Sequence, residues 1–238
     1  MYRFLLAACC CLLLLPAHAA EPQSPAARTI VLVRHGNYAE NPSADERLGP
    51  GLSPLGVAQA RLAGARLAAL PLHFDRLLAS PLQRARDTAA VIAGDFPGRT
   101  FTIDDDLAEC TPPTRRADIM AREKPEALTA CKAQLERAFA RYFVPAAGGA
   151  SADLLVCHAN VIRYLVTRAL GVDSTAWLAM SVGHASLTTI RVNADGSFKV
   201  LAVGDTGYIP PNLSTNISGD PARDLVAPPL PLAPAPGG

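Results

Sequence analysis

The sequence predicts an α/β fold, a three-layer sandwich in which helices flank a mostly parallel sheet. Short apolar runs of strand length, at residues 29–33, 76–79 and 154–157, alternate with stretches whose apolar residues recur at helical spacing. The first and last of these runs deliver histidines at their carboxyl ends: His35 follows Arg34, and His158 follows Cys157. Open α/β sheets place ligand sites at those ends. The chain has 238 residues, 50% of them hydrophobic, which is enough for one domain with a substantial core.

Taken in order, residues 1–19 have the form of a secretory signal peptide. Arg3 supplies the positive charge, residues 4–15 are unbroken apolar sequence, Pro16 interrupts them, and Ala17-His18-Ala19 fits a small-x-small cleavage site. The run of about 12 residues falls short of the roughly 20 that span a bilayer. A periplasmic or secreted location is therefore expected, with no stable membrane insertion after removal of the segment. Residues 20–27, rich in Pro and Ala, read as a linker, 28–209 as the folded domain, and 210–238 as a disordered Pro/Ala-rich tail.

After the first strand a polar loop leads to Ser53-Pro54, a serine cap and first-turn proline for a helix over 55–70. The strand at 76–79 is followed by Ser80-Pro81, which opens a second helix to residue 93 by the same device. A weaker strand at 101–103 precedes Asp104-Asp105-Asp106, read as a solvated rim. Residues 110–118 are loop, and a long helix begins at Pro125 and ends near 143. The strand at 154–157 leads into a helix over 161–170, stopped by Gly171. Residues 186–192 and 197–203 form a hairpin around Ala194-Asp195-Gly196, which admits an antiparallel edge.

A net charge of +1 excludes a general binder of nucleic acid or anionic membranes, and 5% aromatic residues make stacking platforms improbable. Three of the six cysteines, Cys9, Cys10 and Cys11, lie in the apolar segment. Cys157 reads as a small core residue. An oxidising compartment would permit a disulfide between Cys110 and Cys131, and the sequence leaves open whether they meet. No clustered ligand spacing points to a metal, and no cofactor is expected.

Histidines at two strand ends with an adjacent arginine point to phosphoryl transfer. Arginine forks match the oxygens of a phosphoryl group, and neutral imidazole can attack phosphorus without a metal if cations stabilise the charge. Arg84, at the start of the second helix, is the second arginine of choice, and Glu109, after the third strand, is the candidate proton donor. His73 and Arg86 read as surface residues. His184, just before the hairpin, reads as surface too, with the site rim as the alternative.

These residues resemble the histidine phosphatase superfamily, of phosphoglycerate-mutase-like fold. Arg34-His35-Gly36 matches its signature, and Asn41 falls where that signature commonly has asparagine. Residues 52–60 match the helix that follows, and Ser80-Pro81, Arg84-Ala85 and Thr88 match the second arginine motif. Cys157-His158-Ala159-Asn160-Val161-Ile162-Arg163-Tyr164, Trp177 and Gly204-Asp205-Thr206-Gly207-Tyr208 resemble most the mitochondrial serine/threonine protein phosphatases of the superfamily. The resemblance covers roughly residues 29–212.

It implies that His35 is the nucleophile, that Arg34, Arg84 and His158 form the phosphate pocket with Asn41 as a further substrate-binding residue, and that Glu109 is the proton donor. Cys110 stands where the family often has a glycine. The implied activity is metal-independent hydrolysis of phosphomonoesters through phospho-His35, on a phosphorylated small molecule or phosphoprotein. The alternatives are a phosphoglycerate mutase and a non-catalytic module that binds phosphorylated ligands. The oligomeric state is not legible.

Overall fold

The computed structural model describes residues 24–217. Its elements are β1 (Pro25–Ala26), β2 (Arg28–Arg34), α1 (Pro54–Ala68), β3 (Arg76–Ala79), α2 (Gln83–Ala93), β4 (Thr102–Ile103), α3 (Ala117–Met120), α4 (Pro125–Tyr142), β5 (Ala146–Ala147), β6 (Ser151–Cys157), α5 (Ala159–Leu170), β7 (Leu187–Val192) and β8 (Phe198–Asp205). Short 3₁₀ turns occupy Asp105–Leu107, Ser174–Ala179 and Pro211–Leu213.

One six-stranded sheet runs in the order β4-β3-β6-β2-β7-β8. Its first four strands are parallel, and β7 runs antiparallel to both β2 and β8. The alternation of apolar side chains explains the layers. Ile30 and Leu32 of β2 join Leu155 and Cys157 of β6 in a core with α4 and α5. Val31 and Val33 join Leu154 and Val156 in a second core with α1 and α2. A strand buried on both faces needs a continuous apolar run rather than alternation with polar residues. Each of these side chains contributes about 1.5–3 kcal/mol by burial.

Helix α1 begins as the sequence predicts, with Ser53 Oγ accepting from the Gly56 N–H at 3.1 Å. Helix α2 does not. It starts at Gln83 without a side-chain cap, and the Ser80 hydroxyl instead meets the His158 ring at 2.7 Å. Ser80 sits one residue past the end of β3, and its Oγ also accepts from the Leu82 N–H at 3.3 Å, just ahead of the helix.

Of the acidic triplet only Asp105 is exposed; Asp104 and Asp106 are not a solvated rim. Asp106 is buried and paired with Arg137 and Arg141 of α4. Asp104 pairs with Arg141 and accepts from the Tyr142 hydroxyl. The cationic face of α4 packs on this segment, which no local pattern reveals.

At both margins the fold extends beyond residues 28–209. Pro25–Ala26 pairs with β5, so the presumed linker is partly sheet. Residues 210–217 fold back on the domain: the Gln59 amide donates to the Leu213 carbonyl at 2.7 Å and to Thr215 Oγ1 at 2.9 Å. A proline-rich composition rules out regular ladders there but not side-chain anchoring. The apolar segment at 1–19 lies outside the described residues.

The chain leaving β2 passes α1 at very close range. A Cβ on Gly56 would overlap the Asn37 carbonyl, and one on Gly36 would crowd the Gly56 backbone. Asn37 is further held by Ser53 and Gln59, its side-chain oxygen accepting from Ser53 Oγ at 2.7 Å and its N–H donating to Gln59 Oε1 at 2.8 Å. Gly56→Ala is expected to cost at least about 1–3 kcal/mol by overpacking against backbone, read as a fall in the urea unfolding midpoint with an unchanged slope.

Candidate active site

The parallel strands bring four chain segments to one end of the sheet. Register pairs Arg34 with Cys157, and the His35 N–H donates to the Cys157 carbonyl at 3.0 Å. His35 and His158 thus leave adjacent strands together, with ring centroids 5.0 Å apart. Ser80 ends β3 beside them, Arg84 stands in the first turn of α2, and Glu109 follows the 3₁₀ turn after β4.

The partners of His35 define its tautomer. Nδ1 lies 2.8 Å from the Gly36 carbonyl, which can only accept, so Nδ1 carries the proton. The Nε2 lone pair is therefore the acceptor, taking a hydrogen bond from Arg84 Nε–H at 3.2 Å. Burial, and then the neighbouring His158, Arg34 and Arg84, hold His35 well below the usual imidazole range, so it is neutral. His158 is held low in the same way, by burial and by Arg84 and Arg34. Its Nδ1 is buried and unpaired.

Arg34 is 7% exposed and tightly held. Nη1 donates to the Val182 carbonyl at 2.6 Å and to Asn216 Oδ1 at 2.9 Å. Nη2 donates to His184 Nε2 at 3.0 Å, which leaves the His184 proton on Nδ1, facing Thr215 Oγ1 at 2.8 Å. Arg34 Nε remains buried and unpaired. Burial lowers the Arg34 pKa to about 10, with Arg163 and Arg84 adding to the effect and Glu109 opposing it. The Arg84 guanidinium lies over the Tyr38 ring at 5.1 Å.

Glu109 is partly exposed as a residue, but its Oε1 is shielded from solvent and has no partner. Burial raises its pKa to about 7 against the pull of Arg34, Arg84 and Arg163. Cys157 behaves as the core residue expected, its thiol pushed up by burial. Among the described residues no group of three or more His, Cys, Asp or Glu is arranged to hold a metal ion.

The structure therefore brings together Arg34, His35, Arg84, Glu109 and His158, and it adds Ser80, His184 and Arg163. It does not bring in Asn41. That residue is exposed, and its side-chain oxygen caps its own loop by accepting from the Ser43 N–H at 3.0 Å. The signature spacing places an asparagine there, but the loop turns it outward. His184 is buried at the centre of the Arg34 contacts rather than on the surface. Thr215 and Asn216 carried no local signal, because their partners lie far away in sequence.

Residues 30–114 and 112–206 match the histidine phosphatase superfamily (branch 1). The chain belongs to that superfamily and is a phosphatase. It is 36% identical over 207 residues to the mitochondrial serine/threonine-protein phosphatase Pgam5 of Drosophila persimilis, covering 84% of this chain and 71% of that one. It is 35% identical over 195 residues to human PGAM5, also named mitochondrial, covering 80% and 66%. Among solved structures, the Plasmodium falciparum phosphoglycerate mutase superposes with a TM-score of 0.53 at 24% identity, covering 75% of this chain and 91% of that one. A mycobacterial glucosyl-3-phosphoglycerate phosphatase gives 0.57 at 23%, covering 76% and 100%. These two similarities show the phosphoglycerate-mutase-like fold.

The mitochondrial relatives overturn the expected periplasmic or secreted location and, with it, the secretory reading of residues 1–19. A short apolar run behind one basic residue is a physical signal for an apolar environment and carries no address of its own.

The buried neutral histidines make stability depend on pH. His184 falls from 6.5 to about 3 in the fold, through burial and the adjacent Arg34 and Arg84. Between those values the unfolded chain binds a proton that the folded one refuses, so stability is lost as pH falls. The slope is about 1.4 kcal/mol per pH unit for this residue. Glu109, raised from 4.5 to about 7, opposes it between those values. Comparison of wild type with His184→Asn isolates the histidine: urea unfolding from pH 7 to 4 is expected to show a shallower acid loss in the variant.

Proposed function

We propose that the protein hydrolyses phosphomonoesters by transferring the phosphoryl group to His35 Nε2 and then to water, without a metal. The observation that carries this reading is the set of buried, unpaired atoms beside His35, whose Nε2 lone pair meets only the Arg84 Nε–H: Arg34 Nε, His158 Nδ1 and Glu109 Oε1. Buried polar groups are ordinarily paired. An Arg34 N–H and a protonated His158 Nδ1 suit phosphoryl oxygens, and a protonated Glu109 suits a leaving oxygen.

His35 acts first. Its Nδ1–H is anchored on Gly36, and Nε2 presents its lone pair to phosphorus once the Arg84 Nε–H turns from it to a phosphoryl oxygen. The P–O bond to the leaving alcohol breaks as the N–P bond forms. Arg84 and Arg34 stabilise the charge spread over the equatorial oxygens, a task that needs fixed cations in a water-poor site. Glu109 gives its proton to the leaving alkoxide, and the carboxylate so formed can then take a proton from the water that attacks phospho-His35. Ser80 orients His158. The names of the relatives support phosphoserine and phosphothreonine as the first substrates to examine, while fold and pocket do not select between proteins and small molecules.

His35→Ala is expected to abolish hydrolysis of an aryl phosphate, and a chelator to leave the wild-type rate unchanged. Trapping of acid-labile phosphate on wild type but not on this variant checks the intermediate, and activity retained by His35→Ala would sink the mechanism. Because Glu109 donates only when protonated, kcat/KM for an alkyl phosphate should fall as pH rises through about 7. Glu109→Gln should remove that limb and lower the rate by about 10²–10⁴.

A further inference from the structure

Burial disfavours the position that Glu109 occupies. Its Oε1 is buried without a partner, and a carboxyl so placed gains solvation by swinging into water. The chain just before it is clamped to α4. Arg137 and Arg141 pair with Asp106, and Gln134 Nε2 donates to the carbonyls of Asp106 at 3.3 Å and Ala108 at 2.8 Å.

At Glu109 and beyond, those clamps end. The next residue, Cys110, is joined by a disulfide to Cys131 in the buried face of α4, with Cα atoms 5.6 Å apart. Its carbonyl accepts from Asn160 Nδ2 at 3.1 Å, in the first turn of α5 and two residues from His158. The following anchor is the Pro113 carbonyl, which accepts from Trp177 Nε1 at 3.0 Å. Between Ala108 and Pro113, therefore, the bonded tethers of the chain are one disulfide and one hydrogen bond from the Asn160 amide, with Pro112 buried beside them.

We propose that the Cys110–Cys131 disulfide is a positioning device for Glu109, and that protonation of the leaving group consequently depends on the thiol–disulfide balance around the protein. The proposal rests on the reading of Glu109 as proton donor. Reduction is a two-electron exchange. A thiolate of a dithiol attacks one sulfur, its second thiol closes the dithiol's own disulfide, and Cys110 and Cys131 each end as a thiol. The freed loop lets Glu109 exchange its unpaired burial for water, while His35, Arg34, Arg84 and His158 stay on strands and helices that the bond does not cross-link.

The test compares kcat/KM for two substrates. In 4-nitrophenyl phosphate the leaving group departs without a proton, whereas the serine of O-phosphoserine needs one. Glu109→Gln is expected to depress the phosphoserine rate by about 100-fold or more and the nitrophenyl rate far less. Dithiol-reduced wild type, and the Cys110→Ser/Cys131→Ala double variant with or without dithiol, should lose about tenfold or more on phosphoserine and stay within about twofold on nitrophenyl phosphate, the cost of a misplaced acid. Thiol alkylation and mass measurement confirm each redox state.

An equal loss on both substrates after reduction means that the bond supports only the fold, and overturns the proposal. A reduced enzyme with the oxidised ratio of rates overturns it too, and leaves the Glu109 reading standing if Glu109→Gln still changes that ratio. A Glu109→Gln variant with an unchanged ratio overturns both.

Discussion

The pairing of β2 with β6 is the constraint on which the site depends. Parallel register sets Arg34 opposite Cys157, so His35 and His158 emerge side by side from strands whose side chains are buried on both faces. A one-residue slip would exchange the two cores and turn both histidines away from each other. Ile30, Leu32, Leu155 and Cys157 on one face, with Val31, Val33, Leu154 and Val156 on the other, make that slip prohibitive, since each strand must satisfy two different helix layers. The close passage of Gly36 and Gly56 then fixes the path of the chain after His35.

Within that frame the electrostatics follow from crowding cations around burial. Burial keeps His35, His158 and His184 neutral, and Arg34 and Arg84 act in the same direction. A neutral His35 has the lone pair that a nucleophile needs. Burial acts oppositely on Glu109, raising a carboxyl to the range where it can both hold and release a proton. One low-dielectric site thus produces a base and an acid by disfavouring charge on both.

The segment from Asp104 to Cys110 shows how precision is added outside the strands. Ion pairs and amide bonds to α4 hold its first part, and the disulfide holds the residue beside Glu109. The solved structures share the fold, and the curated relatives share the phosphatase class. A site built on strand ends with its acid on a tethered loop separates the rigid geometry of phosphate capture from the placement of the acid.

Much of this was legible in the sequence because it is local. Apolar runs at 29–33 and 154–157, a serine cap at Ser53 and the left-handed Gly171 each express short-range physics, and Arg34, His35, Arg84, Glu109 and His158 sit beside such signals. The misreadings share a different cause. Ser80 looked like a helix cap but bonds His158 across the sheet. Asp104 and Asp106 looked solvated but meet Arg137 and Arg141, more than 30 residues away. Asn41 fits a motif spacing but faces outward. His184, Thr215 and Asn216 converge on Arg34 from sequence distances of 150 residues or more. The sequence by itself determined the strands, the helices and the chemical kind of the groups at their ends. Only the tertiary structure decided which of those groups are buried together, which tautomer and charge each adopts, and that Cys110 meets Cys131, because desolvation and hydrogen-bond partnership are properties of neighbours in space.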